Sequence, residues 1–151
     1  MATVELTGQN FESVVGGADM VLVDFWASWC GPCRMFAPVF DRASEKHSDA
    51  VFGKVDTDAE TELAQQFSIS SIPTLMVIRD NIVLYAQPGA LPEQALEELI
   101  TKARELDMDE VRASIAQDQQ GHEHQHDHED EPDHEHEHEH RSEPEGAESQ
   151  S

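Results

Sequence analysis

The chain has 151 residues, with 32 acidic side chains against 9 lysines and arginines, and its formal net charge is -23. This acidity argues against nucleic acid and anionic membranes as partners, because both would repel the chain. The length allows one domain of ordinary size and an additional segment. The charge divides unevenly, with net -11 over residues 1–116 and net -12 over the much shorter stretch 117–151.

Strands alternating with helices are predicted across the first hundred residues, from β-branched apolar runs and from apolar residues that recur every three or four positions. Thr7 is the expected cap of the first helix, and Asp80-Asn81 is the expected hairpin turn. This order predicts a sheet covered by helices on both faces. The predicted strands are 3–6, 21–26, 51–56, 75–78 and 82–86, and the predicted helices begin after Thr7 and at about 34, 61 and 92.

A further helix is predicted over 108–116, with Asp107 as its cap. Its apolar residues, Met108, Val111 and Ile115, form a narrow stripe. The stripe favours packing against the domain, with partner binding as the alternative. The predicted organisation is a domain over 1–106, a short helical extension over 107–116 and a tail over 117–151.

The tail contains no Leu, Ile, Val, Phe, Tyr or Trp, so we expect it to be disordered. It holds eight of the nine histidines, nearly all alternating with acids. In a mobile chain, any few imidazoles can converge on Zn²⁺, Ni²⁺ or Cu²⁺. The same composition can serve solubility or a charge that changes with pH. The candidate metal ligands are His122, His124, His126, His128, His134, His136, His138 and His140.

The only two cysteines stand in Trp29-Cys30-Gly31-Pro32-Cys33, between a predicted strand and a predicted helix. The N–H groups and dipole at a helix start favour an anion, which stabilises the thiolate of Cys30. Cys33 follows about one turn later, near enough for a disulfide. The same spacing supplies half of many zinc sites, but residues 1–116 offer no second cysteine pair and only His47 as an imidazole. The motif therefore favours dithiol–disulfide chemistry.

The N-terminus lacks a basic region followed by an apolar stretch, and no apolar run approaches the length of a membrane span. We therefore expect a cytoplasmic protein. In a reducing cytosol, a cysteine pair is more often redox-active than structural.

Taken together, these segments resemble a thioredoxin over Val4 to Ile100. The resemblance implies an α/β thioredoxin fold, a central mixed five-stranded sheet flanked by helices, with a cis peptide at Pro73 facing the cysteines. It also implies a monomeric protein disulfide reductase that needs no cofactor and is reduced by an NADPH-dependent thioredoxin reductase. The segments that carry it are Val23-Asp24-Phe25-Trp26-Ala27, Trp29-Cys30-Gly31-Pro32-Cys33, Pro38, Lys54-Val55-Asp56, Ile72-Pro73-Thr74 and Gly89-Ala90-Leu91.

Under this resemblance, in the reduced protein, Cys30 is the exposed attacking thiolate and Cys33 is the buried resolving thiol. Asp24, a carboxylate in an apolar strand, is the candidate base with a raised pKa. Lys54 is its expected partner, with an ordinary lysine at a strand edge as the alternative. Trp26 is expected in the core. The expected substrate-binding residues are Trp29, Gly31, Pro32, Ile72, Pro73, Gly89 and Ala90.

Two functions therefore compete. The first is a thiol–disulfide electron carrier with a passive tail, and its Gly-Pro spacer resembles the reducing members of the superfamily. The second is a metal-handling protein on a thioredoxin scaffold, which buffers or delivers Zn, Ni or Cu.

Asp80-Asn81 and Ser71 depart from the residues common in the family, and they bear on substrate preference rather than on the chemistry.

Overall fold

The structure is a computed structural model and describes residues 2–118. These residues fall into two units, one ending at Leu106 and the other beginning at Asp107. No helix in the described part of the chain is long and apolar enough to cross a membrane. The predicted tail lies outside the described residues from position 119 onward, and so do its eight histidines.

The first unit is built on a five-stranded sheet in the order β1-β3-β2-β4-β5. Strands β1, β3 and β2 are parallel, and β4 and β5 run antiparallel to their neighbours. This mixed sheet confirms the predicted fold class. The strands are β1 (Thr3–Glu5), β2 (Met20–Trp26), β3 (Val51–Asp56), β4 (Thr74–Arg79) and β5 (Ile82–Pro88), and the helices are α1 (Phe11–Gly16), α2 (Gly31–Lys46), α3 (Thr61–Gln66) and α4 (Glu93–Glu105).

Strand β2 is buried on both faces, which explains why all of its residues except Asp24 are apolar. Leu22 packs in one core cluster with residues of α2 and α4, such as Phe40 and Ile100. Val23 points to the opposite face and packs in the second cluster with residues of α1 and α3, such as Phe11. Burying each large apolar side chain contributes about 2 kcal/mol, so the two layers of helices hold β2 firmly at the centre of the sheet.

The first helix begins later than the sequence predicts. Its N-cap residue is Asn10 rather than Thr7. The Thr7 hydroxyl instead accepts hydrogen bonds from the N–H groups of Gln9 and Asn10, while Asn10 Oδ1 accepts from the Thr7 N–H at 2.7 Å. The predicted cap is therefore wrong, because these two side chains stabilise a turn over residues 7–10 and the helix starts only after it.

Helix α2 begins earlier than predicted, at Gly31 rather than Arg34. Gly and Pro are poor helix formers in a helix interior, so the sequence pattern placed the start after them. Proline is nevertheless favoured in a first turn. Backbone N–H groups there have no intrahelical acceptor, so the N–H that proline lacks costs no hydrogen bond. The redox motif is therefore part of the helix itself.

Helix α4 is tied to the sheet by an arginine at the end of β4. Arg79 Nη1 lies within 3.2 Å of the carbonyl oxygens of Ala103, Arg104 and Leu106. The last carbonyls of a helix have no intrahelical donors, so the guanidinium supplies them. At the other end of the helix, Glu93 accepts hydrogen bonds from two basic residues of α2.

The hairpin between β4 and β5 has positive φ at both central residues, 54° at Asp80 and 65° at Asn81. Two such residues define a type I′ turn, whose twist matches that of the flanking strands. The predicted hairpin is confirmed.

In the second unit, residues 108–118 are helical, so the helix continues two residues past the predicted end. Asp107 Oδ1 accepts hydrogen bonds from the N–H groups of Asp109 at 3.0 Å and Glu110 at 3.4 Å. Asp107 therefore caps this helix as predicted.

Candidate active site

The two cysteines form a disulfide at the N-terminus of α2. Cys30 is the N-cap residue and Cys33 lies in the first turn, so their Cα atoms are 5.2 Å apart. The backbone N–H of Cys33 donates to Cys30 Sγ at 3.2 Å. Because a helix N-terminus favours negative charge, the sulfur of Cys30 lies where a thiolate is stabilised.

Both sulfurs are covered in the disulfide form. Cys30 is 4% exposed and Cys33 is 2% exposed. Ala27 is buried with them, and Trp26 and Ile72 pack against this group. The exposure of Cys30 is predicted for the reduced protein; in the disulfide form the end of β2 and the loop before β4 cover this residue. Cys33 is buried as predicted.

Two side-chain hydrogen bonds hold the loop that leads from β2 to the disulfide. Arg34 Nη1 donates to the carbonyl oxygen of Ser28 at 2.8 Å, and Trp29 Nε1 donates to Asp58 Oδ2 at 3.0 Å. Trp29 is nevertheless 67% exposed. An exposed aromatic ring is thus fixed in orientation next to Cys30, and such a ring offers a large rigid surface to a partner.

The carboxyl group of Asp24 is buried in the middle of β2. The residue has no exposed surface, and neither oxygen has a hydrogen-bond partner among the described residues. Burial raises the pKa of Asp24 from 3.8 to about 7, while Lys54 opposes this rise and Asp41 adds to it. Because side chains alternate along a strand, Asp24 faces the same side of the sheet as Leu22, the side that carries α2. A carboxyl group that exchanges its proton near neutral pH therefore lies on the side of Cys33.

Lys54 is the register partner of Asp24 on the neighbouring strand β3. Strand β3 lies between β1 and β2, so Lys54 is not on an edge strand of the sheet. The alternative reading of Lys54 as an ordinary lysine at a sheet edge is therefore wrong. Lys54 Nζ is 5.2 Å from the ring centroid of Trp26, which is a cation–π distance. Trp26 itself is half-buried, less than the core position that we predicted, because its ring lies at the end of β2.

The loop before β4 lies against the disulfide. The peptide bond between Ile72 and Pro73 is cis, as the resemblance implied. The carbonyl oxygen of Ile72 is 3.7 Å from Cys30 Sγ. The N–H of Gly89 donates to the carbonyl oxygen of Pro73 at 2.8 Å, which also brings the end of β5 to this loop. Gly89 has φ +115°, a conformation that strains any residue with a side chain.

The predicted substrate-binding residues differ in exposure. Trp29, Pro32, Gly89 and Ala90 are exposed, Gly31 and Ile72 are half-buried, and Pro73 is buried.

Sequence reasoning missed several residues near the disulfide. Arg34 and Asp58 hold its loop, but the contact of Trp29 with Asp58 spans 29 positions and no local pattern signals it. Met35 was missed as well, although it is 74% exposed on α2. A methionine at that helical position carries no signal that distinguishes a core residue from a surface residue.

Within residues 2–118, no group of three or more His, Cys, Asp or Glu side chains is placed to hold a metal ion. His47 Nε2 lies 2.8 Å from Glu97 Oε1, and its Nδ1 lies 3.1 Å from Arg104 Nη2. The two cysteines are bonded to each other, so the alternative of a structural zinc site is not supported. The tail ligands from His122 to His140 lie outside the described residues.

Comparison with known proteins agrees with this geometry. The thioredoxin family model matches residues 2–102. "Putative thioredoxin 2" of Streptomyces coelicolor is 58% identical over 118 residues, which cover 78% of this chain and 88% of that protein. The thioredoxin of Bacillus subtilis is 42% identical over 103 residues, which cover 68% and 98%. A solved structure of Plasmodium falciparum thioredoxin has a TM-score of 0.61 at 34% identity and covers 66% of this chain and 97% of that one.

A C-x-x-C disulfide that opens a helix, set on a mixed five-stranded sheet, is the site of a thiol–disulfide oxidoreductase. With the family match and these identities, the chain belongs to the thioredoxin family. Its redox chemistry resides in the two cysteine sulfurs and needs no cofactor. Thioredoxins in general act on disulfide substrates and are reduced by thioredoxin reductase.

Proposed function

We propose that this protein is a protein disulfide reductase in which Cys30 attacks the substrate and Cys33 releases it. The observation that carries this assignment is the hydrogen bond from the Cys33 N–H to Cys30 Sγ at the start of α2. In the reduced protein the same N–H would stabilise negative charge on Cys30 rather than on Cys33.

The reaction transfers two electrons in two exchanges. The Cys30 thiolate attacks one sulfur of the substrate disulfide, so a mixed disulfide forms and the other substrate sulfur leaves as a thiolate. The Cys33 thiolate then attacks the Cys30 sulfur, which releases the second substrate thiolate and forms the Cys30–Cys33 disulfide. The substrate is reduced to two thiols, and this protein is oxidised.

Asp24 takes the proton that Cys33 must lose before it attacks. Its pKa of about 7 means that a carboxylate is available near neutral pH, which a base requires. Lys54 acts on this step by stabilising the charged carboxylate, and it is a positioning residue rather than a proton acceptor. Support comes from the burial of Asp24 on the side of the sheet that carries α2.

The substrate docks on the residues around the covered sulfurs. The exposed residues Trp29, Gly89 and Ala90 flank the loop that carries Ile72 and Pro73. Weakly polar, exposed positions of this kind suit an extended peptide, which gains main-chain hydrogen bonds without needing a deep pocket. Gly31 and Pro32 complete this surface.

The protein works as a monomer in the cytoplasm, where an NADPH-dependent thioredoxin reductase returns Cys30 and Cys33 to the dithiol. A reducing compartment is required because the dithiol form is the active one. Sedimentation of the full chain tests the monomer, and fractionation of cells that express it tests the compartment.

The roles of the two cysteines are tested by trapping the mixed disulfide. With Cys33→Ser, attack by Cys30 has no second step, so the substrate stays covalently attached and is seen on non-reducing gels. With Cys30→Ser, the buried Cys33 is expected to trap much less substrate. Equal trapping by the two variants, or a full chain that does not couple NADPH and reductase to disulfide reduction, would refute the assignment.

A second candidate function concerns the tail. The alternation of eight histidines with acids between His122 and His140 favours binding of Zn²⁺, Ni²⁺ or Cu²⁺. No candidate metal group occurs within residues 2–118, so metal binding by this chain would rest on the tail. Under this proposal the protein buffers or delivers metal ions on a thioredoxin scaffold.

Calorimetric titration of the full chain with Zn²⁺ or Ni²⁺ tests this second function. The matched control replaces the eight tail histidines by Asn and keeps the acids, so that the charge stays the same. Binding that survives this replacement contradicts the proposal. Disulfide reduction measured with and without metal in both proteins shows whether the metal acts on the cysteines.

A further inference from the structure

We propose that Met35 is an oxidation-sensitive docking contact, at which peroxide weakens the binding of protein substrates while the cysteine pair stays intact. The inference rests on the substrate surface proposed above and extends that surface along α2.

Met35 differs from the other described methionines in its exposure. It is 74% exposed, whereas Met20, Met76 and Met108 are 4%, 3% and 6% exposed. Oxidation of a thioether by a hydroperoxide requires access to the sulfur. Among the described methionines, Met35 is therefore the one that peroxide reaches in the folded protein.

Met35 lies in an apolar row that starts at the disulfide. Pro32, Met35 and Pro38 are exposed on α2 at intervals of three residues, and the exposed Trp29 precedes the helix by two positions. Within a helix, residues three apart form a ridge on its surface. A Cβ atom added at Gly31 would meet nothing within 4 Å, so the helix surface one turn before Met35 is open to a partner.

Such a row suits the substrate of the proposed reaction. Methionine is flexible and polarisable, so it adapts to apolar groups of different shape. Two members of the row, Trp29 and Pro32, already belong to the proposed docking surface. The occupant is therefore the disulfide-containing protein substrate, whose polypeptide beside the disulfide lies along α2.

The oxidation is a balanced two-electron reaction. Hydrogen peroxide transfers one oxygen atom to the thioether of Met35, which gives a sulfoxide and releases water. The apolar side chain becomes polar. A docked substrate would then displace the water bound to the sulfoxide oxygen without replacing its hydrogen bonds, which weakens docking. The Cys30–Cys33 disulfide has no thiolate for peroxide to attack, so treatment of the oxidised protein spares it.

The test uses the full chain in its disulfide form. The protein is treated with hydrogen peroxide, which catalase then removes, and peptide mass spectrometry measures sulfoxide at each methionine. We expect Met35 to be oxidised about tenfold or more faster than Met20, Met76 and Met108. Met1 lies outside the described residues, and its peptide is measured separately.

The functional readout is dithiothreitol-driven reduction of insulin, compared with reduction of a small aromatic disulfide. Peroxide treatment should raise the KM for insulin by roughly threefold to tenfold, with a smaller change in kcat. The rate with the small disulfide should stay the same, because that substrate does not reach along α2. Met35→Leu is apolar and cannot accept oxygen, so its ratio of treated to untreated KM should be close to one, whatever the substitution does by itself. Met35→Gln, without treatment, should raise the KM as the sulfoxide does.

Three results would overturn the inference. The first is sulfoxide formation at Met35 no faster than at the buried methionines. The second is an equal rise in KM for treated Met35→Leu, which would place the effect elsewhere in the chain. The third is an equal loss of rate with the small disulfide, which would place it in the chemistry. An untreated protein that fails with both substrates would instead refute the proposed reductase, and the docking role with it.

Discussion

Asp24 and Glu93 are both carboxylates that interact with a lysine, yet their pKa values move in opposite directions. Burial raises the pKa of Asp24 to about 7, although Lys54 opposes the shift. Hydrogen bonds from Lys46 and Arg42 lower the pKa of Glu93, which lies at the surface between α2 and α4. Loss of water in the sheet centre outweighs one neighbouring positive charge, whereas at the surface the hydrogen bonds decide the sign.

The comparison separates two uses of the same chemical group. Glu93 is ionised in the folded protein and adds to stability only weakly, since water screens its ion pairs. Asp24 lowers stability whenever it is ionised, and it has no hydrogen-bond partner among the described residues that would offset this cost. A position that reduces stability in this way fits a role in the chemistry better than a role in holding the fold.

The largest effect is expected from Asp24→Asn. Because the folded pKa lies above the unfolded value, the unfolded state ionises first as the pH rises from about 4 to about 7, and wild-type stability falls over this window. The substitution removes this loss, so the variant should gain roughly 3–4 kcal/mol relative to wild type at pH 8 and almost nothing at pH 4. Urea unfolding at both pH values measures the difference. A gain of equal size at pH 4 would show that packing, rather than ionisation, is responsible.

Gly53→Ala tests how closely the chain packs on β3 beside Lys54, the register partner of Asp24. An added Cβ would lie 2.3 Å from Leu6 Cδ1 and 2.7 Å from its Cγ, and Leu6 is fully buried and has little room to move. The substitution should cost about 1–3 kcal/mol of unfolding free energy. Gly16→Ala is the matched control, since its Cβ would meet nothing within 4 Å. Similar stabilities for the two variants would contradict the close packing of Leu6 on β3.

Lys54→Leu sharpens the comparison by removing the charge that opposes the burial of Asp24. The pKa of Asp24 should rise further, and disulfide reduction at pH 7 should fall by roughly twofold to fivefold because less carboxylate is present. The measurements are the carboxyl ¹³C shift of Asp24 against pH and the pH profile of the rate. Lys46→Leu serves as the control and should leave both unchanged. A pH profile that Lys54→Leu does not move would remove Lys54 from the mechanism.

Glu93→Gln should have the smallest effect. Since the folded pKa of Glu93 is lowered from 4.5, its contribution is present above that pH and is lost as the pH falls through the folded value. We expect a small decrease in Tm at pH 7 and low salt that shrinks in 1 M salt, because salt screens exposed ion pairs. Differential scanning calorimetry at the two salt concentrations checks this. A decrease as large as that of Gly53→Ala would mean that the surface pairs are stronger than their exposure allows.

Local sequence patterns predicted the strands, most helix positions and the redox motif, because each depends on neighbours within a few residues. The burial of Cys30 in the disulfide form was not predicted, since Ile72 reaches it from 42 positions away. The start of the first helix was missed because Thr7 and Asn10 compete as caps, and only the backbone of the folded turn decides between them. The family resemblance supplied the cis bond at Pro73, which its sequence alone could not indicate.

Arg79 has a consequence for local motion at the end of α4. The ends of helices normally fray, because their last carbonyls lack donors and open without breaking any tertiary contact. Here the guanidinium on β4 bonds the carbonyls of Ala103, Arg104 and Leu106, so the last turn can open only if these bonds to the central sheet are broken as well. Amide protons in the last turn of α4 should therefore exchange with solvent almost as slowly as those in the middle of the helix. Residue 106, where the first unit ends, is thus held in place by the strand that follows the active-site proline.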